Sequence, residues 1–149
     1  MFERLKKFLQ GEPPPIAERV DDPVLGTLTW NEDGEVWCSD AIHEGIGFEF
    51  RISGTPEPFK SLLAHAEDIF HRKNDFVAAV LAHVKSEGDM HWTLRPYREE
   101  IAGLRIDAIL LCWPDRPEDG LITFGGGREY RAWRCGYVSG NPHGLCFDS

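Results

Sequence analysis

The chain has 149 residues, 42% of them hydrophobic, enough for one domain with an apolar core and few for two. Its 25 acidic residues outnumber 16 basic ones, and the net charge of -9 disfavours a general nucleic-acid binder, which needs a positive surface to displace counterions from phosphate, while leaving room for a locally basic site. No apolar stretch is long enough to span a bilayer.

The N-terminus reads "MFERLKKFLQ". Glu3, Arg4, Lys6 and Lys7 interrupt the apolar run that a secretion signal requires, so the expected location is the cytoplasm. Phe2, Leu5, Phe8 and Leu9 fit one amphipathic turn or two, and Pro13, Pro14 and Pro15 favour an extended spacer. The expected organisation is a turn and Pro-rich spacer over residues 1–15, followed by a single domain over residues 16–149.

"VLGTLTWNEDGEVWCSD" predicts a hairpin, with strands ending at Trp30 and Cys38 around a turn from Asn31 to Gly34. Ile46, Phe48, Phe50 and Ile52 alternate with Gly47, Glu49 and Arg51, the period of a strand with one buried face. Thr55 then offers a cap for a helix with an apolar stripe from Phe59 to Phe70. "HRKND" interrupts the stripe, which predicts two helices with Asn74 capping the second and Gly88 stopping it.

A short helix is expected near Pro96, closed by Gly103, before a strand from Arg105 to Trp113 that is apolar on both sides and so central in its sheet. Further strands are expected at 121–124, 129–138 and 145–147. The order strands, helices, strands predicts an α+β fold: a largely antiparallel sheet of about six or seven strands against two central helices, with a short extra helix.

Three features invite a functional reading. "FGGGREYRAWRCG" sets three glycines before a basic, aromatic run, but lacks the lysine, hydroxyl and following helix of a phosphate loop, and reads as a turn between antiparallel strands. Arg128 and Arg134 share strand parity and Arg131 opposes them; Trp133 and Tyr137 read as core. The six histidines show no four-residue pairing, the four cysteines no two-residue pairing, and neither Ser61 nor Ser139 sits in a nucleophile elbow, so the residues point to no metal, cofactor or catalytic group. Asp107, a carboxylate within an apolar strand, is the one acid that suggests a cleft; with His91 it defines an alternative, a small hydrolase-like enzyme. A structural or accessory protein is a further alternative.

"DDPVLGTLTWNEDGEVW", read with "GLITFGGGREYRAWRCGYVSGNPHGLCFDS", resembles small bacterial domains of unknown function that open on an Asp-Pro-Val-Leu-Gly-like strand and close on a Gly-Leu-Cys-Phe-Asp-like one. It is also similar to some immunity proteins of bacterial polymorphic toxin systems. The resemblance implies an α+β, cytoplasmic, non-catalytic protein that masks a toxin. The expected function is therefore an acidic protein-binding module for a basic partner such as a cognate toxin. The residues expected to bind are Asp21, Asp22, Asp33, Glu35 and Asp40, with Trp30 and Trp37 as apolar anchors.

Overall fold

The computed structural model describes residues 18–149; the expected N-terminal turn and the whole proline spacer, residues 1–15, lie outside them. Eight strands form one sheet in sequence order: β1 Arg19–Asp22, β2 Gly26–Asn31, β3 Val36–Cys38, β4 Glu49–Ile52, β5 Arg105–Leu111, β6 Gly120–Gly125, β7 Ala132–Val138 and β8 Asn141–Asp148. Every neighbouring pair is antiparallel except β4 and β5. A parallel pair needs a long crossover, and the chain between them supplies α1 Lys60–His71, α2 Lys73–Met90, a 3-10 turn Arg95–Tyr97 and α3 Arg98–Ala102. The fold is thus α+β, with a mixed, mainly antiparallel sheet against two main helices and a short third.

The period-two pattern selects the buried face. Phe50 and Ile52 of β4, Ile109 and Leu111 of β5, Ile122 of β6 and Cys135 and Tyr137 of β7 are buried against the helices. Leu62, Ala66, Ile69 and Phe70 of α1 and Phe76, Val80 and Val84 of α2 supply the opposing stripe. β5 is central and apolar on both sides, as its sequence predicts.

Five local expectations are corrected. The sheet has an additional strand, β1, which the pattern conceals because Val20 is its only apolar residue. β4 is shorter than the alternation from Ile46 suggests, since Gly45 and Gly47 take positive φ and hold Ile46 out of the strand. α1 begins at Lys60 rather than after Thr55, because Pro56 and Pro58 bias the residues before them away from helical backbone. The break between α1 and α2 falls at Arg72, not Asn74. Arg72 Nε donates to Asp68 Oδ2 at 2.9 Å and its guanidinium lies over Phe76.

Gly88 does not stop α2, which runs on to Met90. A Cβ there would sit 3.1 Å from Ile101 Cδ1, so the glycine allows α3 to lie close against α2.

Candidate functional site

The Asp-Pro-Val-Leu-Gly stretch forms the loop between β1 and β2. Asp22 Oδ2 accepts hydrogen bonds from the backbone N–H groups of Val24 at 3.0 Å and Leu25 at 2.8 Å, which closes the loop from inside. Gly26 follows at φ 81°, and its missing side chain makes room for the His43 ring, whose Nε2 lies 3.1 Å from the Val24 carbonyl oxygen. The 40–47 segment is thereby clasped to the hairpin. It is further fixed by Ile42 N–H donating to Asp40 Oδ1 at 2.9 Å, His43 N–H to Asp40 O at 3.1 Å and Gly47 N–H to Ala41 O at 2.8 Å. Glu67 of α1 reaches Asp22 from the helical side. The hydrogen bond between the two carboxyl groups, followed by burial and the nearby Asp22 charge, raises the Glu67 pKa above the usual glutamate value.

This geometry separates the residues that the sequence groups as one binding patch. Asp22 is buried and occupied by the hairpin backbone, so it cannot meet a partner. Trp37 is 0% exposed, its indole N–H donating to the Gly54 carbonyl at 2.9 Å; it is core, not an anchor. Trp30, opposite Trp37 with ring centroids 5.3 Å apart, is half-buried against the same core. The remaining four acids are exposed but divided. Asp21 and Asp40 lie at the end of the sheet that carries the 40–47 segment, whereas Asp33 and Glu35 lie in the β2–β3 turn at the other end. The six residues of β2 separate the two groups by roughly 17 Å.

The sequence reading missed Ile42. It is 82% exposed, between Asp40 and Glu44 on the clasped segment. The available signal was an isolated apolar residue among acids in "SDAIHEGIG". Glu44 has φ 49° and Glu35 has φ 52°, a left-handed backbone that a side chain adopts at a cost of about 1–2 kcal/mol. Two of the three non-glycine residues with positive φ among the described residues are therefore exposed carboxylates of this half.

The Gly-Gly-Gly-Arg motif is a structural clamp. Gly126 turns at φ 90° between antiparallel β6 and β7, as expected of a turn, and a Cβ on Gly127 would meet the Trp133 ring at 2.8 Å. Glu100 of α3 receives Arg131 Nη2 at 2.6 Å and Nε at 2.9 Å, together with the Trp133 indole N–H. Arg131 is the main cause holding the Glu100 pKa down at about 2. Strand parity fails for Arg128 and Arg131 because β7 starts only at Ala132; both reach Glu100, Arg128 at 3.8 Å. Trp133 and Tyr137 are buried, as their apolar neighbours predict.

Asp107 is not enclosed in a cleft. It sits at a bulge in β5, 59% exposed, with Arg51 Nη2 3.9 Å away. His65 stands apart, whereas His83, 3.6 Å from Glu87 Oε1, and His91 flank one carboxylate. His65 Nε2 lies 2.7 Å from the Tyr137 hydroxyl, and burial lowers its pKa; His83 Nε2 lies 2.9 Å from the Gly144 carbonyl oxygen, and His91 Nε2 2.5 Å from Glu87 Oε2. Among the described residues no group of three or more His, Cys, Asp or Glu is placed to hold a metal, and no helix is long and apolar enough to cross a membrane.

Comparison with protein-family models, with curated proteins and with solved structures finds no match to this chain.

Proposed function

We propose that the chain is an acidic protein-binding module whose β1–β3 end docks a basic protein. The observation that carries this reading is Ile42, an exposed apolar side chain on a hydrogen-bonded segment, with Asp21, Asp40 and Glu44 at the same end of the sheet. Isolated exposed apolar residues are ordinary; this one is rigidly presented among carboxylates. Residues 18–52 hold nine acids against Arg19 and Arg51, and Arg51 Nε is bonded to Glu49 at 2.5 Å. Carboxylates would steer a basic partner, and burying Ile42 would contribute about 1.5–3 kcal/mol.

The specific form we infer is immunity, in which a cytoplasmic protein covers the active site of a basic toxin. Support for that form comes from the resemblance of the Asp-Pro-Val-Leu-Gly start and Gly-Leu-Cys-Phe-Asp end. The test is a calorimetric titration of the protein against the basic partner it captures, across a salt series. Affinity that falls with salt, and at each salt is weaker for Ile42→Asp, supports the reading; affinity indifferent to both removes it.

A further inference from the structure

β8 is one edge of the sheet and pairs with β7 alone among the described strands. Its ladder shifts register between Arg134 and Gly136, so Gly144, at φ 65°, falls in the irregular stretch with no register partner. A side chain of α2 meets the Gly144 carbonyl there, His83 Nε2 at 2.9 Å. The same nitrogen lies 3.6 Å from Glu87 Oε1, and the second oxygen of that carboxylate, Oε2, lies 2.5 Å from His91 Nε2. Residues 83, 87 and 91 follow one another at four-residue steps, the spacing that puts side chains on one helix face. The carboxylate takes the middle step, which is why no four-residue histidine pair marks the group in the sequence.

We propose that His83, Glu87 and His91 form a proton-operated clasp, which fastens the edge strand β8 to α2 more strongly as the two histidines gain protons. A carbonyl and an ionised carboxylate can only accept hydrogen bonds, so Nε2 carries a proton on both rings and Nδ1 is the atom that titrates. Taking up the second proton keeps every contact and adds a positive charge beside a carboxylate whose side chain is only 18% exposed. His91 also caps the C-terminus of an 18-residue helix with no basic residue in its last turn, a position that favours a cation. Histidine is the side chain that changes charge between about pH 5 and 8.

No other cation competes for Glu87. Among the described residues no Lys or Arg pairs with it. On α2 itself, Lys85 and Asp89 line the hollow on the α3 side. Arg95 of the 3-10 turn donates to the Asp89 carbonyl at 3.3 Å, Glu100 of α3 is held by Arg131, and Asp148 of β8 is paired with Arg134. β7 brings the Cys135 thiol, which burial and then the Glu87 charge help push up to about 12, so it stays neutral throughout. His143 and Cys146 of β8 are exposed. The clasp lies at the sheet edge opposite β1, so the inference stands apart from the proposed function.

Hydrogen exchange of the full chain tests it, read by mass spectrometry on the peptide that carries β8 and corrected for intrinsic rates, at about pH 5.5 and about pH 8. The quantity compared is the ratio of β8 protection at the lower pH to that at the higher. This ratio should be roughly three- to tenfold larger in the parent chain than in Glu87→Gln, which keeps the side-chain shape without the charge. The remaining histidines titrate in both proteins and cancel. A Glu87 that serves only as packing would lose protection equally at both pH values, and equal ratios in the two proteins overturn the proposal, as does a smaller ratio in the parent. Should Glu87→Gln fail to fold, His91→Gln at its exposed position decides the matter: a ratio at least about twofold below the parent's supports the clasp, and an unchanged ratio overturns it.

Discussion

Glu100 and Arg131 are joined by two parallel hydrogen bonds, with Nη2 to Oε1 at 2.6 Å and Nε to Oε2 at 2.9 Å. The pair ties α3 to the loop entering β7, and the second oxygen also serves the buried Trp133 N–H. Arg131 stacks in addition over Tyr97, Tyr130 and Phe147. A motif that resembles a ligand loop in sequence is thus occupied internally.

Removing the carboxylate should therefore act on stability. Glu100→Ala leaves the buried Trp133 donor unpaired, a cost of about 1–3 kcal/mol, read as a lower urea midpoint at pH 7. Because the folded pKa is depressed to about 2, the carboxylate's contribution is full above the ordinary glutamate pKa and is lost as pH falls through about 2. Glu100→Gln should flatten the stability profile between roughly pH 4.3 and 2; urea unfolding at several acidic pH values checks this.

Glu67 should show the opposite sign. Its raised pKa means that the protonated form fits best against Asp22, so its contribution is present below the usual glutamate pKa and is lost as pH rises through the raised value. Glu67→Gln keeps an N–H donor for Asp22 without the second charge. It should stabilise the fold at neutral pH, by less than about 1 kcal/mol since solvent screens the site, and the gain should vanish in acid.

Glu44 should trade stability against binding. Glu44→Gly relieves the left-handed backbone and should raise the unfolding free energy by up to about 1 kcal/mol, after the entropy cost of glycine. The same change removes a carboxylate beside Ile42 and should weaken the basic partner. Thermal melts and titration on one preparation measure both.

Thiol reactivity should rank by burial. Burial pushes the Cys135 thiol up to about 12, whereas Cys146 is exposed. Under a disulfide reagent at pH 8, Cys146 should react at once and Cys135 only as the protein unfolds. A rapid native reaction at Cys135, located by peptide mapping, would contradict the packing of β7.

Much of the fold was legible because periodicity records burial. The alternation through Phe48, Phe50 and Ile52 and the stripe from Leu62 to Phe70 each fix a buried face without reference to partners. β1 escaped because an edge strand with one apolar residue has no such record. The binding patch was misread for a different reason. Acidity along the chain does not show which carboxylates the backbone consumes, and a tryptophan near acids does not show that it faces solvent. Asp22 and Trp37 are used by the fold, and the antiparallel hairpin carries Asp33 and Glu35 away from Asp40. Ile42 became visible only once the clasp of His43 on the hairpin placed it.

The most direct measurement is parallel capture from lysate of the source cells with the tagged parent chain, Ile42→Asp, and an Asp33→Lys, Glu35→Lys double variant, followed by mass spectrometry. One basic protein retained by the parent chain and by the double variant, but lost by Ile42→Asp, is the predicted result. No basic protein on the parent chain, or one that Ile42→Asp retains undiminished, would contradict it.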